Sequence, residues 1–251
     1  MFYSLKKAIF FFCFIYAQKT TCQSIKVAIA SSLISPLSEI SSEFENSKNI
    51  KIELIPGASG TLTHQIINGA PFDLFISANP QYCELLEQKG LSRFTKHNLF
   101  NGPIVLWSKT PLDTINKSVP KAFFDAVIQD HKQSIAIANP SIAPYGKIAM
   151  EWITSTGLNG NNLQIIEGNN ISLTNQYIST VSVDFAITSL SSRKNLAKEG
   201  QGFWYDRLQL EFSAAHCLST TSSNLKAQEF MEFLSSELAI KHLTNYGYIS
   251  P

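Results

Sequence analysis

An excess of charge of one sign is missing from this sequence: 20 Lys and Arg face 19 Asp and Glu in 251 residues, a formal net charge of +1. No broad field is available to hold nucleic acid or an anionic membrane surface, so a bound anion must be held by local donors. Charged residues are only 16% of the chain and hydrophobic ones 44%, which excludes disorder and suits a globular protein. Long apolar runs are lacking too. Ala8 to Ala17 falls short of the roughly 20 residues that cross a bilayer. The four cysteines form no CxxC, and the five histidines, His64, His97, His131, His216 and His242, form no HxH or HxxxH pair. A metal centre built on such spacings is therefore absent. The histidines read as surface groups or as supports behind a site. No Lys-Ser or Lys-Thr follows the glycines as a P-loop requires. In Gly57-Ala58-Ser59-Gly60-Thr61 the second glycine falls one place early for a nucleophile elbow.

What is present starts with an address. Lys6 and Lys7 precede the apolar run Ala8–Ala17, which reads as a signal segment over residues 1–23, cleaved after Ala17, and so predicts a periplasmic protein. A lipid anchor at Cys22 is the less favoured alternative, because Lys19-Thr20-Thr21 lacks the usual apolar residue upstream. Cys22, Cys83 and Cys217 are expected as buried thiols. An oxidising compartment allows a disulfide among them, but spacing does not assign it.

The length accommodates two modest α/β lobes. Strand-like runs at Ile25–Ala30, Ile50–Ile55, Asp73–Ser77, Ile104–Ser108, Ser134–Ala138, Leu163–Glu167, Asp184–Thr188 and Leu208–Ala214 alternate with helical ones, the pattern of parallel sheets covered by helices. Helices are predicted from Leu33, Leu37, Ile40 and Phe44 at helical spacing, then over Gly60–Asn68, Pro80–Lys89, Pro120–Asp130, Tyr145–Thr156, Ser172–Thr180 and, as the longest, Asn224–Thr244. No internal repeat is visible. Extended segments at Phe100–Pro111 and Trp204–Ala215 suggest two crossings between lobes, with lobe 1 at 24–105 and 212–251 and lobe 2 at 106–211.

Four of these strands end in small or hydroxyl-bearing residues and pass at once into a helix: Ala30-Ser31-Ser32, Gly57-Ala58-Ser59-Gly60, Asn139 to Gly146, and Gly168 to Ser172. Helix-start amides lack internal acceptors and carry the positive end of the helix dipole, so several converging on a crevice bind an anion without cationic side chains. Taken singly, each of these residues reads more readily as a helix cap. The set of four lifts the anion reading.

The blocks VAIASSLISPLSEISSEF, PGASGTLTHQIINGAPFDLFISANPQYCELLEQKGL, SRFTKHNLFNGPIVLWS and AIANPSIAPYGKIAMEWI, in this order, resemble the periplasmic molybdate-binding proteins of molybdate ABC transporters over about Ile25 to Pro251. The resemblance implies a type II periplasmic-binding-protein fold: two Rossmann-like α/β lobes, two hinge strands, and one oxyanion in the interlobe cleft. It implies molybdate or tungstate as transported ligand, with no other cofactor, and a membrane ABC permease as partner of a monomeric, non-enzymatic carrier. The metal would be met only through the oxyanion's oxygens. Carried over residue by residue, the ligand contacts are Ser31, Ser32, Ser59, Tyr145 and the Ile171 amide. Where many members have a tyrosine this chain has Ser189, which places Ser189 outside the contact set and gives Tyr145 more weight. The rival readings are a same-fold protein for sulfate, phosphate or an organic acid, a serine hydrolase using Ser59, and a sensor domain. Arg93, Arg193 and Arg207 lie outside the helix-start loops, which disfavours an organic acid.

Overall fold

The computed structural model describes residues 24–114, 118–129, 133–158, 163–197, 202–206 and 213–250. The predicted signal segment with Cys13 and Cys22, His131, Arg207 and the 208–212 part of one predicted strand lie outside the described residues.

In the first lobe, β1 (Ser24–Ala30) is flanked by the parallel strands β2 (Lys51–Gly57) and β3 (Leu74–Ser77). In the second, β5 (Ser134–Ala138) is flanked in the same way by β6 (Gln164–Gly168) and β7 (Phe185–Ser189). Each unit then meets one long antiparallel strand, β9 (Ser213–Thr220) beside β3 and β4 (Phe94–Ser108) beside β7. The topology is thus duplicated although the sequence shows no repeat. A shared device survives: Asp73 before β3 accepts from the Lys26 amide of β1, and Asp184 before β7 accepts from the Ser134 amide of β5, both at 2.9 Å.

The strands β4 and β9 pair with each other and join the lobes into one sheet of order β2-β1-β3-β9-β4-β7-β5-β6, with β8 (Phe203–Tyr205) on the other side of β4. Thus β4 begins ten residues before the predicted Ile104, in a polar stretch whose backbone is satisfied by β9 rather than by an apolar pattern.

Helices cover both units. In α1 (Ile34–Lys48), which follows a single 3₁₀ turn at Ser31–Leu33, the predicted Leu37, Ile40 and Phe44 are buried, and Asn49 ends the helix at a left-handed φ of 53°. Phe44 meets Phe230 with ring centres 5.1 Å apart. In the second lobe Phe123 of α4 (Val119–Gln129) packs between Trp152 of α5 (Pro144–Ser155) and Phe185. The remaining helices before the last hinge strand are α2 (Ser59–Ile67), α3 (Pro80–Gln88), α6 (Ile171–Ser179) and α7 (Leu190–Leu196).

Two expectations are corrected. The long helix expected over Asn224–Thr244 is two, α8 (Leu225–Phe233) and α9 (Glu237–Asn245), because Ser236 takes the Ala239 amide and starts a new helix. Cys83 of α3 and Cys217 of β9 are not thiols but a disulfide across 134 positions.

Candidate functional site

The duplicated topology brings four strand-to-helix junctions to the crevice between the lobes: those after β1 and β2 from the first, and those after β5 and β6 from the second. Carboxyl ends of strands at such a switch in order are where open α/β sheets bind ligands. A narrow cleft of about 10 Å³ lies there, lined by Ser31 and Ser32, by Ala58 and Ser59, by Pro144 and Tyr145, and by Asn170 and Ile171. All five predicted contact residues are therefore brought together, each 1–4% exposed. Ser189 stands apart from these five. Its hydroxyl shares hydrogen bonds with Ser191 and Ser192 at 2.9 and 2.8 Å and does not line the cleft.

Capping separates this place from an ordinary set of helix starts. Away from the cleft, α3, α8 and α9 are capped by the side chains of Asn79, Asn224 and Ser236. Facing the cleft, the 3₁₀ turn, α2 and α5 begin at Ala30, Ala58 and Ala143, which have no side chain to cap with. Their first amides and dipoles are left for something outside the helix. Asn170 caps α6 through the Leu173 amide, which leaves the amide of Ile171 at the helix start. Ser31 and Ser59 stand one residue inside their helices, so their hydroxyls are not used as caps.

The hydroxyls are donors in waiting. Ser59 Oγ accepts the Ala78 amide at 3.1 Å, which leaves its proton free to donate. Ser32 Oγ and the Tyr145 hydroxyl are buried without a hydrogen-bond partner, one from each lobe. The Tyr145 oxygen is close enough to Ser32 and Tyr248 to feel both, yet meets neither in hydrogen-bond geometry. Burial, with the neighbouring Tyr248, pushes its pKa well above 10, so it stays a protonated donor at any ordinary pH. No charged side chain lines the cleft. Arg93 is exposed and Arg193 pairs with Asp206, so neither serves it.

The cleft is shut. The Gly60 amide donates to the Ile142 carbonyl of the other lobe at 2.9 Å, and Asn195 donates to Ser35 at 2.9 Å. Gly60 permits this approach, since a Cβ there would stand 2.9 Å from both the Ile142 oxygen and the Tyr82 hydroxyl. Behind Tyr145 lies what residue spacing could not reveal. His216 of β9 is wholly buried, 4.8 Å from the Phe100 ring, 5.4 Å from Tyr248 and 6.1 Å from Tyr145. His64 and His97 are exposed, as expected for lone histidines. A larger groove of about 300 Å³ between β4 and α9 is mostly apolar and open, lined by residues such as Leu99, Ile240 and Ile249. None of the orphaned donors points to it as a polar site. Among the described residues, no group of three or more His, Cys, Asp or Glu is placed to hold a metal, and no helix is long and apolar enough to cross a membrane.

The chain is similar to known proteins. The molybdate-binding protein ModA of Azotobacter vinelandii is 29% identical over 238 residues, covering 89% of each chain. That of Rhodobacter capsulatus is 27% identical over 89% of this chain and 87% of its own. Among solved structures, the Azotobacter vinelandii periplasmic molybdate-binding protein superposes with a TM-score of 0.79 at 23% identity, over 90% of this chain and 99% of that one. A tungstate ABC transporter structure from Geobacter sulfurreducens gives 0.68 at 12% identity, over 89% and 98%. These likenesses establish the type II periplasmic-binding-protein fold, two lobes on two hinge strands. The bacterial extracellular solute-binding protein family matches residues 25–249, and this chain belongs to it.

Proposed function

We propose that this chain captures a tetrahedral oxyanion, molybdate or tungstate, in the periplasm and delivers it as a monomer to an ABC permease. The observation that carries the reading is the pair of buried, unpartnered hydroxyls, Ser32 and Tyr145, contributed by opposite lobes to a cleft at which three of the four helix starts have no side-chain cap. A buried donor left unmade costs about 1–3 kcal/mol, which an anionic acceptor recovers. Neutral donors suffice because hydrogen bonds to a charged acceptor are roughly twice as strong as neutral ones. The shut cleft, at about 10 Å³, is far smaller than the ~300–1,000 Å³ of sites for drug-sized ligands, which speaks against a large organic ligand. The named relatives supply the identity of that ion.

Ser31, Ser32, Ser59, Tyr145 and the Ile171 amide form the contact set. The lobes divide at 24–105 with 212–251, and at 106–211. Binding shifts an open population to the shut form seen here, and that shape is what the permease reads. Against a serine hydrolase stands Ser59 itself, whose oxygen accepts from a backbone amide rather than bonding a base.

Titration calorimetry with molybdate, tungstate and sulfate tests the reading. Saturable heat with the first two is expected; no heat, or tighter binding of sulfate, refutes it. Ser59→Ala and Tyr145→Phe should each weaken binding by about 1–3 kcal/mol, and wild-type affinity in either removes that residue from the set.

A further inference from the structure

Tyr248 follows α9 and does not line the cleft, yet it is 4% exposed and its hydroxyl reaches the site's backbone. It donates to the Ser32 carbonyl at 3.1 Å and lies 3.3 Å from Ser191 Oγ. Ser191 donates to the same carbonyl at 2.8 Å. The two lone pairs of that oxygen are therefore both engaged. Three segments meet in this knot: the turn after β1, the start of α7 in the other lobe, and the C-terminal tail. What they hold is the residue whose own hydroxyl is buried and unpartnered. A donor is aimed only as well as the backbone that carries it.

The ring of Tyr248 lies near the other orphaned donor. It packs edge-on to Phe100 at 4.9 Å and to His216 at 5.4 Å. A Cβ on Gly102 would come within 2.1 Å of the Tyr145 hydroxyl and 2.7 Å of Tyr248 Cε1, so both phenols converge over one bare Cα.

We propose that Tyr248 is a positioning residue of the binding site: it holds the Ser32 turn in place and, with Ser191, locks that turn to the second lobe when the cleft shuts. Its use in ligand retention rests on the oxyanion reading above. Tyr248→Phe keeps the ring and removes the hydroxyl. It should release molybdate about threefold to tenfold faster in stopped flow, as expected for one lost hydrogen bond, with association changed less than twofold. Ser191→Ala should act alike, and the double variant should fall short of the product of the two, because each substitution alone already removes the Tyr248–Ser191 contact. A lowered melting temperature with unchanged release overturns the proposal, as does full multiplicativity. Hydrogen exchange on the ligand-free protein separates the two readings. Amides of the Ser31–Leu33 turn should exchange faster in Tyr248→Phe while those of α4 stay unchanged, whatever the ligand proves to be. Failure of the wild type to bind molybdate then removes the oxyanion, and an unaltered turn removes the positioning role.

Discussion

Acidifying the ligand-free protein from pH 7 to pH 5 is expected to remove about 2 kcal/mol of stability through His216 alone. Burial pushes the ring from a pKa of 6.5 down to about 3, the adjoining backbone of Phe100 and Ala214 offsetting only part of that cost. In the folded chain the ring therefore stays neutral down to about pH 3, while in the unfolded chain it takes up a proton near 6.5. Because the unfolded state binds the extra proton, the contribution is complete above pH 6.5 and is lost as the pH falls from there toward 3. The slope inside that window approaches 1.36 kcal/mol per pH unit, so about 2 kcal/mol is gone at pH 5. Urea unfolding followed by fluorescence at pH 7, 6 and 5, for the wild type and for His216→Gln, isolates the effect, since other groups cancel in the difference. The wild type should lose about 2 kcal/mol more than the variant between pH 7 and 5. Parallel pH profiles would refute the claim that this ring is folded in neutral and unfolded out of charge balance.

Removing the Cys83–Cys217 cross-link should cost about 5 kcal/mol by chain entropy for its 134-residue separation; unchanged denaturant midpoints with and without dithiothreitol would contradict it. Gly102→Ala should displace Tyr145 and reduce molybdate affinity by about tenfold or more, since the added Cβ would lie 2.1 Å from that hydroxyl. Its circular dichroism should match the wild type, and unchanged affinity would mean that Tyr145 does not need its present place.

Much of this was readable because the relevant signals are local. Leu37, Ile40 and Phe44 announce a buried helix face by spacing, and the five site residues each follow a strand, so a parallel topology gathers them. The pairing of Cys83 with Cys217 depends on α3 lying against β9, which no spacing encodes. The opening of β4 at Phe94 looks like a polar loop because its order comes from the partner strand. His216 reads as a lone histidine until β9 places it behind Tyr145. Ser236 interrupts the last helix without disturbing its apolar rhythm. The duplication of the lobes survives in sequence as short matches, Asp73 and Asp184 among them, too brief to stand out without coordinates. The most telling unread signal was negative: alanine at positions 30, 58 and 143, where a serine or asparagine cap is the rule.

The strand β4 changes partners between adjacent residues, Pro103 standing opposite Ser213 of β9 and Ile104 opposite Ser189 of β7. Proline has no amide hydrogen to offer a ladder, and at this seam none has to be surrendered. The chain thus passes from one lobe to the other at a residue that gives up no ladder hydrogen bond. What ties the two lobes together at the cleft's mouth is then a set of side-chain and loop contacts, at Gly60, Ser191, Asn195 and Lys194 among others, separate from the sheet that joins them at its spine.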